Sequence, residues 1–249
     1  MKKRLLIFCF VLWAGTCEAQ SSEGLICKGS QAAPTLTKTL WNGFVVAVTR
    51  VPGAVPELAC TAELRDPAGR TVFGDSGYTA GLDESGVDVD NDGKPDVVLV
   101  VDSGGGNLGF WEYTIISFSS RPRIVATLSG PILHFERDSD GKTVIRNTEV
   151  FYGLTSTNAD APAIDAYRQF RSGRLVDVTA DHCKSIPSKP TDSDLSRVLQ
   201  NLYCGQVDLA LQQIREKWPV PEQARLRSQI KSDMELRRPD IARRMTNWN

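Results

Sequence analysis

Histidine is scarce in this chain, with His134 and His182 alone, C-x-x-C pairs are absent, and there is no excess of basic charge. The first two scarcities leave no ligand spacing for a structural zinc. In 249 residues, 29 Lys and Arg stand against 30 Asp and Glu, a formal charge of −1. That balance lacks the electrostatic footprint of a nucleic-acid binder, and no basic heptad or aromatic ribonucleoprotein motif replaces it. No nucleic-acid partner is expected. With 41% hydrophobic and 24% charged residues, the composition excludes a disordered tail, collagen and a polytopic membrane protein, and fits one or two folded domains.

Long apolar runs are missing too, apart from Leu5 to Trp13, about nine residues where a bilayer needs about 20. That run follows Lys2, Lys3 and Arg4 and leads to small residues before Ala19, the pattern of a secretory signal peptide spanning 1–19 and cut after Ala19. A lipoprotein leader acylated at Cys17 is the competing reading, and Gly15-Thr16 fits it poorly. Loss of the leader removes three cations and Glu18, which takes the formal charge to −3. The expected location is secreted or periplasmic, with no membrane association beyond the cleaved leader.

Four cysteines then remain: Cys27, Cys60, Cys183 and Cys204. An even number in an oxidising compartment points to two disulfides with three connectivities open, and sequence proximity favours Cys27 with Cys60 and Cys183 with Cys204. A nucleophile formed by Cys183 and the adjacent His182 is disfavoured, because neighbouring residues on a strand point different ways.

From Leu25 to Thr179 the chain reads as short β-rich runs separated by Gly, Pro, Asp and Asn. Such runs are Gly43 to Val51, Leu58 to Leu64, Val97 to Val101, Tyr113 to Phe118, Arg123 to Leu128, Ile132 to Glu136, Thr143 to Arg146, Ile164 to Phe170 and Leu175 to Val178. Asp66-Pro67-Ala68-Gly69, Asp140-Gly141 and Ser172-Gly173 are turn signals. No helix of ten residues intervenes, so the sheet is antiparallel. After Ile186-Pro187 the period changes: Leu195, Val198, Leu199 and Leu202 recur at helical spacing behind the N-cap candidates Thr191 to Asp194. Val207, Ala210, Leu211 and Ile214 form a second stripe, Leu226, Ile230 and Met234 a third, and Ile241, Met245 and Trp248 a last one opened by Pro239. The predicted fold is α+β, a β-rich domain over 20–186 followed by a helical module over 191–249.

The densest chemical signal is Asp88-Val89-Asp90-Asn91-Asp92-Gly93-Lys94-Pro95-Asp96, followed by the β-branched run Val97 to Val101. Carboxylates at relative positions 1, 3, 5 and 9, a glycine at 6 and a backbone carbonyl at 7 make an oxygen cage suited to Ca²⁺, a hard cation that takes six to eight oxygens. An EF-hand would carry a bidentate Glu at position 12, where Leu99 stands, and would continue as a helix.

At these residues the sequence resembles the D-x-D-x-D-G-x-x-D calcium loops of FG-GAP and VCBS-type repeats. That resemblance covers mainly 71–179 and implies Ca²⁺ held between two strands of a hairpin, with Asp88, Asp90, Asp92 and Asp96 as side-chain ligands and Lys94 giving its carbonyl. Glu136 to Val144 aligns when Gly141 is set on Gly93; its ninth position is Val144, so it reads as a degenerate copy that keeps the turn and has lost most or all ion affinity. Integrin-like propellers need seven blades of about sixty residues. Some 155 β-rich residues permit two or three blade-like sheets or a compact sandwich. The phenylalanine-glycine element survives in part, as Val72-Phe73-Gly74.

Weaker signals have plainer readings. Asp102 to Asn107 lacks the ending of a phosphate loop and reads as a loop, and Phe110, Trp111 and Tyr113 read as strand core. Charge is uneven: Glu57 to Glu112 holds 12 acidic and 3 basic residues, whereas Arg225 to Asn249 holds 7 basic and 3 acidic. With the Cys183 and His182 pair disfavoured, neither histidine has an identifiable nucleophile, and all four loop carboxylates are read as ligands, so no catalytic residue is assigned. The sequence thus predicts a calcium-stabilised binding module for an unknown protein or glycan. An extracytoplasmic hydrolase and an envelope protein docking through its helical tail are the alternatives.

Overall fold

The computed structural model describes residues 25–28, 35–102, 104, 111–119, 121–155, 160–184, 193–246 and 248. The signal peptide assigned to 1–19, Cys17 included, lies outside them, as do Phe110 and most of the loop after Asp102. The described strands are β1 (Ile26–Lys28), β2 (Leu36–Thr39), β3 (Val45–Arg50), β4 (Cys60–Arg65), β5 (Thr71–Gly77), β6 (Thr79–Ser85), β7 (Val97–Asp102), β8 (Trp111–Ser117), β9 (Arg123–Ser129), β10 (Leu133–Arg137), β11 (Thr143–Val150), β12 (Ala163–Arg171) and β13 (Arg174–Asp177). The helices are α1 (Thr179–His182), α2 (Asp194–Tyr203), α3 (Val207–Lys217), α4 (Val220–Arg237) and α5 (Pro239–Ala242).

The strands form three antiparallel sheets: β2-β3-β4-β5, then β1-β6-β7-β8-β9, then β10-β11-β12-β13. They are stacked, and the alternation of side chains along β7 shows how. Val97, Leu99 and Val101 pack with Val46, Val48, Ala62 and Leu64 of the first sheet, while Val98 and Val100 face Leu133, Ile145 and Phe170 of the third. A strand apolar at every position is one buried on both faces. The third sheet repeats the device: Ile145 and Phe170 look toward β7, and Ile164 and Ala166 look toward α2, α3 and α4 through Leu199, Leu202, Ile214, Leu226 and Ile230. The fold is therefore α+β, with a β-rich chain closed at one end by C-terminal helices.

Two of the three seams between layers carry a disulfide. Cys27 to Cys60, with Cα atoms 5.8 Å apart, joins β1 of the second sheet to β4 of the first. Cys183 to Cys204, also 5.8 Å between Cα atoms, joins the end of α1 to the end of α2. Closing loops with sequence separations of 33 and 21 residues contributes about 3–4 kcal/mol each in the chain-entropy picture. The helical seam also has a polar lock. Tyr203 donates its hydroxyl proton to the buried Glu149 at 2.7 Å, Arg168 pairs with the other carboxylate oxygen, and Arg237 approaches Glu149 at 3.6 Å while its guanidinium lies 4.6 Å over the Phe151 ring. A buried carboxylate so surrounded is compensated rather than orphaned.

Differences from the sequence reading are local. β1, β2, β5 and β6 escape hydrophobic patterning, and the last helix stops at Ala242 although Met245 and Trp248 are buried as its stripe predicts. β5 and β6 are rich in Gly, Ser and Asp, residues that ordinarily mark loops. Gly77 explains part of this: a Cβ there would sit 2.5 Å from the Asp102 carbonyl oxygen, so only glycine lets the two backbones meet.

Candidate metal centre

The second and third sheets meet at a seam with no disulfide among the described residues, and the acidic loop 88–96 lies on it. The loop joins β6 to β7. At its base the ladder continues, with Asp96 N–H donating to the Val87 carbonyl at 2.8 Å and its own carbonyl accepting from Gly86 at 3.0 Å. Val89 is 1% exposed and plugs into the cluster formed by Val98, Val100 and Ile145. Gly93 takes φ +87°, the left-handed turn for which glycine is suited.

Three of the four predicted carboxylates converge: Asp88, Asp90 and Asp96 offer oxygens within 4.8 Å of one another. Asp92 stands apart from that group, exposed, its Oδ1 accepting from the Lys94 N–H at 2.9 Å. Adjacent carboxylates repel, and here backbone amides turn them inward. Asp88 accepts from the N–H of Asp92 and of Gly93, each at 3.0 Å, and Asp90 accepts from Asp92 at 3.1 Å. Lys94 sends its Nζ to the Ser119 carbonyl, away from the carboxylates.

Asp96 is the exceptional member. It is 1% exposed; its Oδ2 accepts from Val89 at 2.7 Å and Asp90 at 3.0 Å, whereas its Oδ1 is buried without a hydrogen-bond partner among the described residues. Burial pushes its carboxyl up to about 7; the N–H of Asp90 and of Val89 pull against that shift, and the charges of Asp90 and Asp92 add to it. Among the described residues, the cation paired with the cluster is Arg123, 3.9 Å from the Asp90 Oδ2 and itself half exposed. A buried carboxylate oxygen left bare beside two further carboxylates is a donor set that a hard divalent cation satisfies. Asp88, Asp90 and Asp96 could hold such an ion by their side chains, whereas Asp92, also predicted as a ligand together with the Lys94 carbonyl, stands outside that group.

Sequence reasoning missed what fastens the loop to the third sheet. Asn91, at φ +59°, accepts from the Thr143 N–H at 2.7 Å and donates to the Thr143 carbonyl at 3.2 Å, and Thr143 Oγ1 donates to the Asp88 carbonyl at 2.5 Å. The sequence offers only an Asn in the middle of an acidic loop, a residue type that tolerates the left-handed conformation, and it carries no sign of the partner.

The remaining sequence candidates resolve simply. Cys183 is spent in its disulfide, and His182 stacks on Tyr167 with centroids 4.6 Å apart, so no Cys-His nucleophile exists there. Tyr113 is buried in the strand core, and Asp102 accepts from the Gly104 N–H at 2.9 Å as a turn cap. Of the basic C-terminal residues, Arg238 pairs with Asp177 of the third sheet at 3.0 Å and Arg237 joins the Glu149 lock. Among the described residues no helix is long and apolar enough to cross a membrane.

No protein-family model and no curated protein sequence matches the chain. Among solved structures the chain is similar to PliI-Ah, the periplasmic lysozyme inhibitor of I-type lysozyme from Aeromonas hydrophyla. The identity is 18%, the overlap covers 39% of this chain and 90% of that one, and the TM-score is 0.29.

Proposed function

We propose that this protein is a secreted or periplasmic binding module whose middle seam is closed by Ca²⁺ in the 88–96 loop and whose partner is a protein or a glycan. The observation that carries the reading is Asp96, buried with one oxygen bare and flanked by Asp88 and Asp90. Two disulfides belong to an oxidising, extracytoplasmic compartment, where millimolar calcium suits a site of about 10⁻⁴ to 10⁻³ M affinity. The seat of the loop between β6 and β7 supports an FG-GAP or VCBS-type loop. Calcium here is structural. It neutralises carboxylates at the one seam that lacks a disulfide among the described residues, and so holds the Asn91 and Val89 contacts to the third sheet in place.

The test is thermal unfolding of the secreted chain with Ca²⁺ and with chelator, for the wild type and Asp96→Asn. An ion at about 100 times its Kd adds about 2.7 kcal/mol, so the wild-type midpoint rises by several degrees in Ca²⁺ and that of the variant does not. Coincident wild-type curves with Ca²⁺ and chelator contradict the reading.

A further inference from the structure

The first sheet covers the second only in part. Its strands pack on β1, β6 and β7, and where β5 overhangs β8 and β9 a cleft of about 200 Å³ remains. Register explains its character. Glu112 and Thr114 pair across β7–β8 with Val101 and Leu99, so they share the face that is core farther along the sheet, yet here it is left open. Phe73, Val101 and the half-exposed Ile124 give the cleft apolar lining, and Asp75 and Glu112 line it as well.

Those carboxylates lack cations. Glu57 to Glu112 carries 12 acidic residues and 3 basic ones. All three cations are engaged elsewhere: Arg65 with Glu63 at 2.5 Å, Arg70 with Asp66 at 2.7 Å, and Lys94 on the Ser119 carbonyl. Among the described residues no cation pairs with Asp75 or Glu112. Among the described strands, β5 and β9 stand at the edges of their sheets, positions at which main-chain groups can pair with an added strand.

We infer that this cleft docks a basic, extended segment of a partner protein, placing one Lys or Arg side chain between Asp75 and Glu112. The aliphatic stem of such a residue lies along Phe73, Val101 and Ile124 while its charge meets the carboxylates, and the segment's backbone adds to an exposed edge. The acidic surplus steers that partner and repels acidic ones. This inference rests on the binding-module reading and names the partner's chemistry.

The experiment is an amide-resonance NMR titration of the secreted chain, kept in Ca²⁺, with a capped pentapeptide of alternating Lys and Val. Its Glu-for-Lys counterpart and a neutral oligosaccharide serve as further probes. The lysine peptide is expected to shift resonances of 73–75, 112–114 and 124–127, and Asp75→Asn with Glu112→Gln to weaken it at least fivefold without moving the unfolding midpoint. The inference is overturned if the shifts are absent, if they spread over the whole acidic surface and ignore the double variant, or if the oligosaccharide rather than the peptide perturbs the cleft. Calcium stabilisation without peptide binding removes the docking inference alone, whereas loss of calcium stabilisation removes the metal reading and leaves the docking result standing.

Discussion

Loops 88–96 and 136–144 share a glycine-centred acidic pattern, yet only the first has an interior. In the second, Asp138 consumes its own oxygens: Oδ1 accepts from the N–H of Asp140 and of Lys142 at 2.9 Å each, and Oδ2 accepts from Gln169 at 2.6 Å. These bonds, the Lys142 amide foremost, hold its carboxyl below the usual range. The ninth position decides the difference. Asp96 tucks under its loop with one oxygen bare, whereas Val144 is buried at 1% beside Tyr167 and Val178 as part of β11. One residue at the start of a strand separates a candidate ion site from a self-satisfied hairpin turn.

The largest effect expected from breaking this contrast comes from Val144→Asp. Restoring the missing carboxylate buries a charge in an apolar cluster, so the variant loses more than about 3 kcal/mol and gains no second calcium site. Denaturant unfolding with and without Ca²⁺ reads both; a stable variant binding two ions would erase the distinction drawn between the loops. Next comes Asn91→Ala, which leaves the Thr143 N–H unpaired at the seam and costs about 1–3 kcal/mol. Asp138→Ala, which removes the cap of the second loop, lowers the unfolding midpoint by a smaller amount, equally in Ca²⁺ and in chelator. If its cost depended on calcium, the second loop would also be an ion site.

The smallest expected effect lies at the root of the first loop. Burial, with the Glu84 charge second, raises the Asp83 carboxyl to about 6 from 3.8. A carboxyl raised on folding stabilises the native state in its protonated form. That contribution is complete below the unfolded value and is lost as pH rises through about 6. Asp83→Asn should therefore flatten the decline in stability between about pH 4 and 7 by on the order of 1 kcal/mol, since the group is partly screened by solvent. Unfolding midpoints across that range measure it, and a variant with the slope of the wild type would place the titration elsewhere.

Much of this was legible in the residues. The run Val97 to Val101 announced a strand, though its burial on both faces emerged only with the stacked sheets, and Leu226, Ile230 and Met234 announced the apolar face of α4, because side-chain period follows directly from backbone geometry. β5 and β6 were illegible for the opposite reason: Gly77 and its polar neighbours are in strands because the Asp102 backbone lies against them, a tertiary cause that leaves no period. In the candidate site, the spacing identified Asp88, Asp90 and Asp96 as neighbours. It did not reveal that Asp92 stands aside, nor that Asn91 reaches Thr143 some fifty residues away, since a loop's partners depend on which sheet its tip faces.

Calorimetric titration of the calcium-stripped secreted chain with Ca²⁺, alongside Asp96→Asn and Asp138→Asn, tests the contrast between the loops most directly. The account predicts one ion per chain in the wild type and in Asp138→Asn, and none in Asp96→Asn. No binding by the wild type, or binding that survives Asp96→Asn and vanishes in Asp138→Asn, would contradict it.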